Sequence, residues 1–358
     1  MAQKQSVMFA LGSVSKSPHH LEAIEASEFI WHETNYNART TDEMLEKHLP
    51  ALAKAEHIAI GGDGFIDDRL LGLCPNLKVI SVVGVGYDNV DVDACTRHNV
   101  WLANAPVLRE SCADMALLLM LSAMREAAIG SLIAKGAEPY PHDDRGWDWR
   151  VMRNVVGQDP GGKTLGLIGL GRIGQTFAAK AQAAFNMKVI YFDPIQQPPV
   201  RTSGDIASGG RQSAPYFELD PPPQWVSFEE LLATSDVISM HANLSKHSRQ
   251  MMGKKEFEAM KPTAYFVNMA RGGLVDEDAL ADALAAGEIA GAGLDTFEEE
   301  PKVSEKLRSE PRAFLLPHIA SATDETRFNM SERCIANARA VLVSRHNIAA
   351  VWVAFFTR

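Results

Sequence analysis

Short apolar runs recur along the chain, and stretches with helical spacing separate them. The first set of runs lies at 7–11, 29–31, 57–60, 79–83 and 100–102. Between them, Thr40-Thr-Asp-Glu43 is a capping box whose apolar face continues through Leu45, Leu49 and Leu52, which predicts a helix. A longer helix is predicted over about 111–135. Its centre, 115–121, is apolar nearly all round, as suits burial on several sides. A second set of strands follows at 164–168, 188–192, 236–240, 264–267, 290–294 and 313–316. Ser227-Phe-Glu-Glu230 caps one intervening helix, and another runs over 276–286 and stops at Gly287. Strands alternating with helices form parallel sheets, so two α/β domains of the doubly wound kind are predicted.

Two stretches break the rhythm. Residues 139–162 are polar, with glycine, proline and two tryptophans (Trp147 and Trp149), and read as a loop or arm. Residues 195–225 hold Pro198, Pro199, Pro215 and Pro221 to Pro223, and read as an inserted surface loop. A final helix is predicted over about 324–345, followed by an apolar tail at 349–356.

Composition narrows the class without naming a function. The chain has 358 residues, 46% hydrophobic and 22% charged, with a net charge of -10. That sign disfavours general nucleic-acid or anionic-membrane binding. No apolar run has the length of a membrane span or a signal-peptide core. Cys74, Cys95, Cys112 and Cys334 are scattered, so neither a disulfide framework nor a metal site is suggested. A reducing cytoplasm is the expected compartment.

The sharpest local signal is Gly169-Leu-Gly171-Arg172-Ile173-Gly174. It follows a predicted strand and opens a predicted helix, and the next strand ends in Asp193. In that context Gly169 permits a tight turn, Gly171 lets a pyrophosphate approach the backbone, and Gly174 allows close helix–strand packing. The helix N-terminus offers amides to phosphate. Asp193 suits the ribose hydroxyls and would repel a 2′-phosphate, which favours NAD over NADP.

Three ionisable residues stand just past three successive strands: Arg271 in Asn268-Met-Ala-Arg-Gly-Gly273, Glu300 before Pro301, and His318 in Leu316-Pro-His-Ile-Ala-Ser-Ala-Thr323. Ligands of open α/β sheets bind outside the carboxyl ends of strands. An arginine fork binds carboxylates, and a histidine paired with a glutamate exchanges protons near neutrality. Taken singly, each has an ordinary structural reading: an ion pair, a loop residue or an acidic face.

Together with Val83-Gly-Val-Gly-Tyr-Asp-Asn-Val-Asp91, Asn104-Ala-Pro106, Gly166–Gly174 and Gly293-Leu-Asp-Thr-Phe-Glu298, these motifs resemble the D-isomer-specific 2-hydroxyacid dehydrogenases, the family of glyoxylate/hydroxypyruvate reductases. The resemblance spans about 75–326. It implies two Rossmann-like or flavodoxin-like parallel-sheet domains with the active site in the cleft between them. Residues 1–105 with 322–358 would be the substrate domain, and 106–321 the NAD-binding Rossmann domain. It implies that His318 is the general acid/base, that Glu300 holds it protonated, and that Arg271 binds the substrate carboxylate and carbonyl. The Val85 and Gly86 amides would also grip the carboxylate. Asp295 would lie near the nicotinamide, Met269 and Ala270 would line the cofactor, and His241 would stand on its adenine side. A homodimer through the cofactor domains is implied as well.

Departures from the pattern are informative. His241-Ala-Asn-Leu244 lacks the usual proline, so the adenine-side loop is expected to differ. Cys112 replaces a common valine and reads as an apolar packing residue. The side-chain pocket is expected in the 61–65 loop, with Gly62 and Asp63 at the substrate and Phe65 as an apolar wall. The substrate would be glyoxylate, hydroxypyruvate or a bulkier 2-keto acid. Two rival readings are an NAD-sensing corepressor-like scaffold of the same fold and a dehydrogenase for another donor such as phosphite. The short apolar tail disfavours the first, and the absence of lysine from 83–91 disfavours the second.

Overall fold

The structure, a computed structural model, describes residues 7–11, 30–33, 50, 52–60, 65–137, 155–194, 219 and 221–342. The chain divides into two compact units, Met1–Leu108 with Ser321–Arg358, and Arg109–Ala320.

The first unit is built on strands β1 (Val7–Leu11), β2 (Ile30–Glu33), β3 (His57–Ile60), β4 (Val79–Val82) and β5 (Trp101–Asn104). They form one parallel sheet in the order β2-β1-β3-β4-β5, the flavodoxin-like winding. β3 and β4 are buried at every position. Their sequences accordingly do not alternate, and the one polar residue of each, His57 and Ser81, meet at 2.9 Å. Helices α1 (Asp68–Gly72) and α2 (Val92–Arg97) are short and start on aspartate caps: Asp67 accepts the Leu70 N–H and Asp91 the Ala94 N–H. The chain returns to this unit through its last helix, Asp324–Leu342. Ile335 and Ala338 pack with Ala59, and the Asn337 amide donates to the Asn104 carbonyl at 3.2 Å. The predicted helix at 40–52, apart from its last residues, and the tail beyond 342 lie outside the described residues.

The second unit begins with α3 (Arg109–Met124) and α4 (Ala127–Lys135). The sequence predicts one helix here, and the structure breaks it. Glu126 takes a left-handed φ of 50°, and the two axes differ by 69°. The cause is tertiary. The Gln158 N–H bonds the Met124 carbonyl at 2.7 Å, and Gly157 lies so close that a β-carbon would stand 2.1 Å from the same oxygen. Among the described residues no single helix is long and apolar enough to cross a membrane.

The rest of the unit alternates: β6 (Thr164–Ile168), α5 (Arg172–Phe185), β7 (Lys188–Phe192), β8 (Gln224–Trp225), α6 (Phe228–Thr234), β9 (Val237–Met240), α7 (Lys254–Glu258), β10 (Tyr265–Asn268), α8 (Glu277–Ala286), β11 (Gly291–Leu294), α9 (Glu305–Ser309) and β12 (Ala313–Leu315). The sheet order is β12-β11-β10-β9-β6-β7-β8, all parallel, which is the winding of a Rossmann domain with one strand added. The predicted caps form: Ser227 accepts the Glu230 N–H, Asp276 accepts the Ala279 N–H, and Gly287 ends α8 at φ 73°. The core gathers Leu231, Ile238, Phe257, Phe266, Leu280 and Leu294. Within it Phe257 meets Phe266 edge-on at 5.4 Å, a geometry worth about 1 kcal/mol beyond burial. The end of the supposed inserted loop is the two-residue edge strand β8, too short to show periodicity; 195–218 and the 138–154 arm lie outside the described residues.

Candidate active site

The glycine turn joins β6 to α5. Gly169 has a φ of 94°, and a β-carbon there would lie 2.8 Å from the His241 carbonyl oxygen, so the position needs glycine on both counts. Gly171 is the N-cap of α5 and faces open space, with no side chain capping the helix. Arg172 and Ile173 follow in the first turn. A β-carbon on Gly174 would stand 2.7 Å from the Gly169 carbonyl, which is the close packing expected of it. A pyrophosphate therefore fits: uncapped amides, an open approach and a tight turn. Asp193 directly follows β7, and its carboxylate accepts the Leu170 N–H at 3.4 Å, at the mouth of the same turn.

His241 follows β9 and lies beneath that turn. Its Nε2 is 2.9 Å from the Ser239 hydroxyl, its ring meets Phe177 at 5.6 Å, and its Nδ1 is buried without a partner. Burial drives its pKa down to about 4, so the ring is neutral. It touches the glycine turn through its backbone and β-carbon.

Arg271 stands in a turn that Asn268 ties down. The Asn268 side chain accepts the Ala270 N–H at 3.0 Å and donates to the Arg271 carbonyl at 2.9 Å. The Arg271 guanidinium donates to the Ala270 carbonyl at 2.9 Å. Met269 is buried and Ala270 half-buried in the same turn. Gly272 starts a single 3₁₀ turn, Gly272–Leu274, and its α-carbon is pressed on the backbone of Phe297 and Glu298.

Glu300 and His318 meet. The Nδ1 of His318 lies 2.7 Å from one Glu300 oxygen, and the other accepts the Phe297 N–H at 2.9 Å. Burial pushes the Glu300 carboxyl up, but the His318 hydrogen bond and charge, the Phe297 N–H and Arg271 outweigh it and hold the group below its ordinary value. An ionised carboxylate only accepts, so Nδ1 carries the hydrogen and Nε2 is the nitrogen left to exchange a proton.

His318 itself is in the left-handed region, at φ 54°. Such backbone costs a non-glycine residue of order 1 kcal/mol or more and persists only when the surroundings impose it. Asp295 imposes it. One of its oxygens accepts the Ile319 N–H and the other the Ala320 N–H, both at 2.8 Å. Asp295 is fully buried, and burial raises its carboxyl pKa against these two bonds. Its visible work is thus on the loop carrying His318.

Cys112 is buried in α3, and burial pushes its thiol up to about 12, which leaves no thiolate. Among the described residues no group of three or more His, Cys, Asp or Glu is placed to hold a metal ion. Val85 and Gly86 belong to the other unit, in the turn after β4, where the Asn104 amide donates to the Val85 carbonyl at 2.8 Å. Gly62 and Asp63 lie outside the described residues, and Phe65 is exposed. Asn268 is not among the site residues expected from the sequence, although it opens the motif that carries Arg271.

Comparison with known proteins identifies the family. Residues 132–320 match the family model described as the D-isomer specific 2-hydroxyacid dehydrogenase, NAD binding domain. The chain is 38% identical to a glyoxylate reductase of Thermococcus litoralis over 273 residues, 76% of each protein. It is 36% identical to 4-methyl-2-oxopentanoate reductase A of Aspergillus oryzae over 281 residues, 78% of this chain and 76% of that protein. The crystal structure of a glyoxylate reductase from Paecilomyes thermophila superposes with a TM-score of 0.75 at 32% identity, covering 94% of this chain and 95% of that one. With a Rossmann sheet, a dinucleotide turn and these relatives, the chain belongs to the D-isomer-specific 2-hydroxyacid dehydrogenases, a family of oxidoreductases.

Proposed function

We propose that this protein reduces a 2-keto acid to the D-2-hydroxy acid with NADH, reversibly, using Arg271, Glu300 and His318. The observation that carries the reading is the 2.7 Å pair of His318 Nδ1 and Glu300 in the same unit as the glycine turn. Bound NADH supplies the hydride. The amides of Gly171 to Gly174 hold its pyrophosphate, and Asp193 takes the ribose hydroxyls, disfavouring a 2′-phosphate. Arg271 offers its fork to the substrate carboxylate and polarises the carbonyl. His318 Nε2 gives a proton to the carbonyl oxygen as the carbon is reduced, and in reverse removes it from the hydroxyl. Glu300 orients the ring and stabilises the imidazolium. The names of the relatives support substrates from glyoxylate to a branched keto acid. A homodimer through the cofactor unit is part of the same reading.

The test is NADH oxidation, followed by absorbance, with glyoxylate, hydroxypyruvate, pyruvate, phenylpyruvate, phenylglyoxylate and 2-ketoisocaproate, and NADPH in parallel. Turnover with at least one acid supports the reading and sizes the pocket. Clear NADH binding without turnover on any acid moves the protein to the scaffold class or to a keto acid outside this panel.

A further inference from the structure

Glu277 is a carboxylate that the proposed chemistry does not use, yet it is nearly buried. It opens α8, which is rooted in the core by Leu280, Ala281 and Leu284. One of its oxygens accepts the Glu298 N–H at 2.5 Å, and the other lies 3.4 Å from the Ser304 nitrogen, which donates to it. Those two amides flank Glu300, two residues before it and four after. The Ser304 hydroxyl also donates to Asp278, the next residue of the same helix turn, at 2.7 Å. A single helix start therefore holds both ends of the segment that presents Glu300 to His318. The same stretch of chain carries Arg271 six residues earlier and presses Gly272 on Phe297 and Glu298.

We infer that Glu277 is a positioning residue, which clamps the 298–304 segment from beneath and thereby fixes the Glu300 carboxylate against His318. This rests on the reading of Arg271, Glu300 and His318 as catalytic. The chemistry of the clamp explains why an acid stands there. A carboxylate is acceptor-only, with both oxygens free to take amides, whereas a glutamine offers one oxygen and turns its amide donor toward the second N–H. The charge is costly. Burial raises the Glu277 carboxyl pKa, the Glu298 and Ser304 amides lower it, and the nearby Glu298 and Asp278 raise it again. Two nearby cations pair with other acids: Arg249 reaches Glu298 at 3.4 Å, and Lys306 reaches Asp282 at 3.0 Å and Asp278 at 4.0 Å. The two backbone bonds thus remain the principal support of the carboxylate.

The experiment compares Glu277→Gln, Glu300→Gln and the double variant in NADH-dependent reduction, with glyoxylate or 2-ketoisocaproate as the probe, whichever wild type turns over faster. Glu277→Gln is expected to lower kcat about tenfold with the KM for the keto acid within about twofold, because misplacement by a fraction of an ångström acts on the chemical step. It moves the alkaline limb of the kcat profile to lower pH, in the same direction as Glu300→Gln. The double variant is no slower than Glu300→Gln, since both substitutions act on one pair. NADH binding, read by fluorescence, is unchanged in all three. Wild-type kcat and pH profile in Glu277→Gln, or losses that multiply in the double variant, overturn the clamp while leaving the triad standing. Wild-type activity in Glu300→Gln overturns the catalytic reading itself. If Glu277→Gln does not fold, the same comparison is made with Glu277→Asp, which keeps both acceptor oxygens but shortens their reach. The expected signature is then the same and smaller, and its absence overturns the proposal.

Discussion

Gly272 and Phe297 touch backbone to backbone: a β-carbon on Gly272 would stand 1.8 Å from the Phe297 carbonyl carbon and 2.2 Å from its oxygen. No side chain can swing aside to make room. Gly272→Ala must therefore part the Arg271 turn from the segment leading to Glu300. Destabilisation of about 1–3 kcal/mol is expected, with loss of most activity. Gly273→Ala is the contrast, since its nearest neighbour is a Leu244 methyl at 3.2 Å that can shift. Urea unfolding and kcat on both variants check this; equal effects would show that the backbone contact is not the cause.

Loss of the proton donor should be severe and specific. His318→Ala is expected to lower turnover on the order of a hundredfold or more, with NADH binding retained. Arg271→Ala should raise the KM for the keto acid and lower kcat as well, because its fork is assigned to both the carboxylate and the carbonyl, whereas His318→Ala should leave that KM nearly unchanged. Steady-state kinetics separate the two. Unimpaired kcat in His318→Ala would remove the assignment.

Asp193 should set the cofactor preference. Replacing the carboxylate with Ser removes repulsion of a 2′-phosphate and one ribose acceptor. The ratio of kcat/KM for NADPH to that for NADH should rise by about tenfold, or roughly 1.4 kcal/mol. A wild-type enzyme that prefers NADPH would contradict the role given to Asp193.

Buried imidazoles should make the fold sensitive to acid. His57 is fully buried beside Ser81, at 2.9 Å, and burial lowers its pKa to about 3 from 6.5; His241 falls to about 4. Below pH 6.5 the unfolded chain binds protons that the native state refuses. Stability therefore rises with pH across this window. It is present above 6.5 and lost as pH falls toward the folded values. For His57 the slope approaches about 1.4 kcal/mol per pH unit. Urea unfolding between pH 4 and 7 measures it, and His57→Gln should flatten the dependence.

Much of the fold was legible because its signals are local. The apolar runs at 57–60, 164–168 and 188–192 became strands with those bounds. Ser227, Asp276 and Gly287 capped their helices as their chemistry requires. The glycine turn and the order of Arg271, Glu300 and His318 after successive strands could be read for the same reason: strand period and turn residues are written within a few positions. Tertiary contacts decided the rest. The 111–135 pattern has no internal cause to stop, and only Gly157 and Gln158, brought against Met124, break it. The left-handed backbone of His318 is imposed by Asp295, 24 and 25 residues before the amides that it accepts. Glu277 reaches Glu298 and Ser304 across 21 and 27 residues. Such side-chain-to-backbone bonds leave no periodic trace in the chain. Their partner is an amide, which every residue but proline carries, so only the folded geometry selects which amide it is.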